Sequence, residues 1–143
     1  MNDPARLGTT VEEFCHFIEG LSQATVLEQD WGPKEVLAHL VFWHESYVAQ
    51  IEALRAGHPF ELPQGRFGDL NAQAVAANRD VPIAKLVRRF RAADKRLRAL
   101  YAAHDPTAIV LEIKQGSKRW RLVDLVPAVE AHVRNHHRQL ERR

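Results

Sequence analysis

His132 and His136 stand four residues apart near the end of the chain. On a helix, that spacing puts their Cβ atoms about 5–6 Å apart on one face. At 100° per residue, with Val129 at zero, Leu125, Val126, Val133 and Leu140 fall within an apolar arc about 100° wide. His136, at about −20°, lies inside the arc and His132, at about −60°, on its shoulder, while Arg134, Arg138 and Glu141 fall on the opposite side. Two imidazoles held in this way can chelate one first-row metal when a third protein group joins them, leaving a position for water or substrate. Without a metal, a histidine on an apolar face is ordinarily a core residue hydrogen-bonded to a neighbour.

The third group has two candidates in the region of His39 to His44. With Leu40 at zero, His44 falls at about +40°, within the apolar arc, and His39 at about −100°, at its edge. Periodicity therefore favours His44 as the more buried and does not say which of the two faces the last helix. Either could instead be a general base for water in a metal-free pocket. Glu35, one turn before His39, is placed to hold that ring's second nitrogen, as ligating histidines require, or to sit on the surface. Coordination needs neutral imidazoles, so metal affinity is expected to weaken as pH falls through about 6.5.

Helices must position these groups. Thr9 or Thr10 is expected to cap a first helix that carries Phe14, Phe17, Ile18 and Leu21 at helical spacing. Gly32-Pro33 opens a second helix with a sustained 3.6 period, and Gly57 ends it. His58 to Gly68 is a connection, and Asp69 caps a short Ala-rich helix to Arg79. Pro82 opens a further helix closed by Asp105-Pro106. Val110–Lys114 and Lys118–Leu122, flanking Gln115-Gly116-Ser117, are expected to form a small β-hairpin, and Asp124 caps the last helix, which runs to about Arg142. The expected fold is an all-α, up-down four-helix bundle with a hairpin-like insert before the last helix.

The chain has 143 residues, 45% of them apolar, enough for one domain over residues 1–143 with a sizeable core. No apolar run approaches the roughly 20 residues of a membrane span, and the first ten residues do not read as a secretory signal. The single cysteine, Cys15, points to a reducing, cytoplasmic setting and reads as a buried inert thiol. The formal net charge of +2 conceals an asymmetry. Residues 1–62 hold 3 basic and 10 acidic side chains, net −7, and residues 63–143 hold 17 and 8, net +9. Lys85, Arg88, Arg89, Arg91, Lys95, Arg96 and Arg98 form a basic stripe that could track phosphates, but the acidic first half offers it an internal partner, so a nucleic-acid partner is not expected.

The stretch Trp31-Gly32-Pro33-Lys34-Glu35-Val36-Leu37-Ala38-His39-Leu40 resembles the second-helix signature of the DinB-like superfamily of four-helix bundles. His132-Val133-Arg134-Asn135-His136-His137-Arg138-Gln139-Leu140 is similar to that superfamily's last-helix pattern of two histidines four apart with a glutamine three residues beyond. Trp43, Gly57-His58-Pro59 and Leu70-Asn71 through Asn78-Arg79-Asp80 look most like its ClbS/DfsB branch, with maleylpyruvate isomerase-type N-terminal domains as more distant relatives. The resemblance implies one divalent metal, Zn²⁺, Ni²⁺ or Fe²⁺, on His39, His132 and His136, which activates a low-molecular-weight thiol or water against an electrophilic small molecule. That would make the chain a hydrolase or a thiol S-transferase of detoxification or self-resistance, with His39, His44 and Glu35 as catalytic candidates and a homodimer as the expected assembly. The branch also contains members without the triad that open strained rings with no known metal, so a metal-free hydrolase-like pocket and a non-catalytic binding protein are the alternatives.

Overall fold

The computed structural model describes residues 4–22 and 31–142. In chain order these form α1 (Ala5–Glu19), α2 (Pro33–Ala56), α3 (Phe67–Ala77), α4 (Ile83–Ala103), β1 (Val110–Glu112), β2 (Arg119–Arg121) and α5 (Leu122–Glu141). The expected helical bundle with a hairpin before its last helix is present. Among the described residues no helix is long and apolar enough to cross a membrane.

The helix ends differ from the sequence expectation in instructive ways. α1 starts four to five residues before Thr9 and Thr10, because neither hydroxyl caps it. Thr9 donates back to the Ala5 carbonyl (3.3 Å), and Thr10 donates across the core to Glu130 (2.6 Å). α5 starts before Asp124 because the preceding loop satisfies its first N–H groups. Leu122 donates to the Ile109 carbonyl (2.8 Å) and Val123 to that of Pro106 (3.0 Å). Asp124 instead pairs with Arg121, and Pro127 lies inside the helix. Its missing N–H is the one that would have met the Val123 carbonyl. α2 keeps its expected limits. Pro33 occupies its first position, Gly32 N–H donates to Glu35 Oε1 (3.0 Å), and Gly57 adopts φ +72°, the left-handed cap that glycine accepts without strain.

The contacts between helices fix their directions. Glu45 meets Arg89 and Glu52 meets Arg96, so α2 and α4 run parallel. Glu19 and Glu12 both reach Arg91 while Gly8 lies against Arg98, so α1 and α4 are antiparallel. Thr10 meets Glu130 and Phe14 meets His137, which makes α1 and α5 parallel. The four long helices therefore run up, down, down and up, in place of the up-down alternation expected. The segment 57–82, which includes α3 packed on α2, carries the chain back to the end from which α2 began. Phe14, Leu37, Phe90, Leu97, Leu122 and Val133 are buried where the helices meet, and Phe14 and Phe90 pack edge-on at 6.1 Å.

The hairpin pairs Val110 with Arg121, Leu111 with Trp120 and Glu112 with Arg119. Its strands are shorter than expected, and Gly116 takes the positive φ (+82°) that its turn requires. Buried Leu111 anchors one face. Gln50 of α2 clamps the free edge. Its Nε2 donates to the Glu112 carbonyl (2.9 Å) and its Oε1 accepts the Glu112 N–H (3.0 Å), as a neighbouring strand would.

Candidate metal centre

α2 and α5 bring His39, His132 and His136 together. One ligating nitrogen from each lies within 4.8 Å of the other two. The ring centroids are 4.6 Å apart for His132 and His136, 4.7 Å for His39 and His136, and 5.8 Å for His39 and His132. Nitrogens bound to a common first-row ion at about 2.0–2.1 Å stand roughly 3.3 Å from one another, so the three rings need a shift of only about 1 Å to share one. His39 is 2% exposed, and its Nδ1 makes no hydrogen bond of good geometry. The Glu35 and Val36 carbonyls are its weak partners, and the buried ring has a nitrogen to offer a ligand. The edge of the Trp31 ring covers His39 at 5.4 Å.

The electrostatics suit a cation. Burial, and then the charges that His136 and His132 would carry, push His39 down to about 4, against the opposing pull of the Glu35 and Val36 carbonyls. Burial and then His132 push His136 down to about 4. Burial and then His44 lower His132. These imidazoles are therefore neutral at pH 7 and ready to donate lone pairs without first losing protons. Three neutral nitrogens with water-accessible space beside them are a donor set for Zn²⁺, Ni²⁺ or Fe²⁺.

Glu35 is engaged elsewhere. Its carboxylate accepts the Gly32 N–H at the start of α2, and the buried Nδ1 of His39 receives nothing from it. His44 is as buried as His39, at 1% exposed, but belongs to a different group. Its Nε2 lies 3.3 Å from Asp94 Oδ1, and Asp94 Oδ2 accepts from Arg98 Nε at 2.8 Å. Asp94 is itself only 2% exposed. Sequence reasoning passed over Asp94 as a lone acid in a basic stripe. The signal was there, because with Phe90 at zero Asp94 falls at about +40° and Leu97 at about −20°, both on the apolar face of α4.

A cavity of about 270 Å³ opens beside the triad. Trp43, Tyr47, Phe67 and Trp120 form aromatic walls, Leu40, Ile113, Leu125 and Val129 add aliphatic surface, and Asn71, His44 and His132 supply the polar groups. His132 thus belongs to both the histidine cluster and the cavity. Trp43 Nε1 donates to Asn71 Oδ1 (2.7 Å), which ties α3 to α2 at the cavity wall.

The other sequence features resolve as structure. Burial pushes the Cys15 thiol up to about 12, which makes it an inert thiol in the core. Of the seven cations on α4, four meet acids: Arg89 meets Glu45, Arg91 meets Glu12 and Glu19, Arg96 meets Glu52, and Arg98 meets Asp94. Among the described residues, the acidic first half of the chain partners three of these cations.

Residues 6–138 match the family model of the mycothiol maleylpyruvate isomerase N-terminal domain, and the chain belongs to that family, itself part of the DinB-like superfamily. The ClbS/DfsB resemblance has no counterpart in this match. No curated protein and no solved structure matches the chain.

Proposed function

We propose that this member of the mycothiol maleylpyruvate isomerase N-terminal family is a metal-dependent enzyme. In this reading it brings a low-molecular-weight thiol of the mycothiol kind, or water, to an electrophilic small molecule in the cavity between α2 and α5. The observation that carries the reading is the double membership of His132, which stands in the three-histidine cluster and in the wall of the cavity. His39, His132 and His136 would hold the metal. When bound, it supplies a Lewis acid that lowers the pKa of a thiol or water, so that a nucleophile exists near neutral pH.

The chain's own residues supply the rest. The aromatic walls exclude water and bury the substrate against apolar surface. His44 is the proton carrier of the site. With Nε2–H directed at Asp94, its Nδ1 is the nitrogen left to accept a proton. Glu35 contributes by starting the helix that carries both histidines. The His44–Asp94 pair also supports a second reading, a metal-free pocket in which His44 is the general base for water.

One experiment separates the two readings. Protein reconstituted with Zn²⁺, Ni²⁺ or, anaerobically, Fe²⁺ is assayed for turnover of a panel of electrophiles with mycothiol, with glutathione and without thiol. Turnover that needs both metal and thiol is the expected result. Turnover that survives chelation and His132→Ala but is lost in His44→Ala establishes the metal-free reading, and binding without turnover establishes a sequestering protein.

A further inference from the structure

We infer that the cavity selects flat, uncharged molecules with a hydrogen-bond acceptor such as a ketone or quinone carbonyl, and that Asn71 is the residue that reads the acceptor. This rests on the reading of the cavity as the substrate site and names the substrate class that reading leaves open. Among the described residues no carboxylate, lysine or arginine lines the cavity. Its volume of about 270 Å³ lies near the lower end of the roughly 300–1,000 Å³ of small-molecule pockets and suits two fused rings. Trp43 and Tyr47 lie near parallel, 27° apart, and Phe67 leans on Trp43 at 5.7 Å, so aromatic faces meet a planar guest.

The polar groups define the rest. Because an indole N–H can only donate, the Trp43 bond must be accepted by Asn71 Oδ1, which fixes the amide's orientation and leaves Nδ2 as its remaining donor. Among the described residues no group is bonded to that Nδ2. Asn71 therefore offers a neutral, oriented donor, suited to a carbonyl oxygen rather than to a carboxylate. Behind His44 lies the buried Asp94 carboxylate, whose charge Arg98 matches at 2.8 Å, so this pair presents no net positive charge to draw an anion. One feature pulls the other way. The hairpin ammoniums Lys114 and Lys118 sit over Phe67 (4.9 Å) and Trp120 (4.1 Å), and both rings line the cavity. A charged twin of the ligand therefore belongs in the test.

Three matched probes, 2-acetylnaphthalene, 2-ethylnaphthalene and 2-naphthoate, are titrated into ¹⁵N-labelled protein while the indole N–H signals of Trp43 and Trp120 are followed. The readout needs neither metal nor turnover, so a failed metal or activity experiment leaves it standing, and the reverse also holds. The ketone is expected to bind about tenfold tighter than the hydrocarbon or the carboxylate. Asn71→Asp keeps an acceptor for Trp43 and removes the donor. It is expected to abolish the ketone's advantage while changing hydrocarbon binding by less than about twofold. Tighter binding of 2-naphthoate than of the ketone in the wild-type protein overturns the inference, as does an equal loss of ketone and hydrocarbon binding in Asn71→Asp. Indole signals that none of the three probes shifts overturn it as well.

Discussion

Loading the histidine cluster with metal should stabilise the protein, and the pH range over which it does so follows from the burial of the rings. An ion that binds only the folded state at a thousand times Kd adds about 4 kcal/mol. For a chain of this length each kcal/mol moves Tm by roughly 4 °C, so zinc-loaded and metal-free protein should melt about 15 °C apart at pH 7.5. Ordinary histidines would lose this gap as pH falls through about 6.5. Here His39 and His136 are held down to about 4, so the folded protein still presents neutral nitrogens at pH 5.5. The expectation drawn from residue type alone is thereby revised. The gap persists at pH 5.5 and closes only toward pH 4.

The metal-free protein should respond to pH on its own account. A histidine whose folded pKa lies below its unfolded value takes up its proton first in the unfolded chain. Stability is therefore fully present above about 6.5, falls as pH drops from there to about 4, and loses nothing further from these groups below that. For His39 the difference corresponds to about 3 kcal/mol. Thermal melts of metal-free and zinc-loaded protein at half-unit steps from pH 7.5 to 4, with metal analysis of each sample, test both statements. His39→Ala, His132→Ala and His136→Ala should each remove the zinc-dependent gap, and His44→Ala should keep it. A gap already closed at pH 5.5 would refute the inference from burial, and an intact gap in His39→Ala would refute the assignment of that ligand.

Asp94→Asn should leave zinc content unchanged but lower turnover about 100-fold or more, because His44 loses the carboxylate that orients it, and the pH–rate profile should change shape. Gln50→Ala strands the Glu112 N–H and carbonyl at the hairpin edge. It should cost about 1–3 kcal/mol in urea unfolding, with faster hydrogen exchange at Glu112. Retention on DNA-cellulose should be weak and vanish by about 0.15 M salt, since three of the seven α4 cations are matched by acids of α1 and α2 and a fourth by Asp94, and retention that survives that salt would contradict the pairing.

The elements that were legible in the sequence are those governed by local rules. α2 has its proline start and glycine stop, and the i, i+4 histidines of α5 share a face, because both features depend on spacing within one helix. The ends of α1 and α5 were not legible. Thr10 is drawn into the core by Glu130, and the first N–H groups of α5 are taken by carbonyls of the 106–109 segment, partners distant in sequence or set by a loop's path. The Gln50 clamp was hidden for the same reason. A glutamine on a helix shows no sign that a strand edge will stop beside it.

Periodicity left open which second-helix histidine would face α5, and for a different reason. Ranking His39 and His44 by angle presumes that a helix has one buried face. α2 packs on α4, α3 and α5 together, and nearly every residue from Val36 to His44 is buried. Five residues along a helix amount to about 140° of rotation, so His39 and His44 leave α2 in different directions. His39 reaches the α5 histidines, while His44 reaches Asp94 of α4 and borders the cavity. This separation makes the proposed chemistry dissectable. A helix buried all round can turn a metal ligand toward one neighbour and a proton carrier toward another, so removing either histidine should leave the other's partners in place. Zinc content that survives His44→Ala, beside an His44–Asp94 pair that survives His39→Ala, is the combination that this geometry requires.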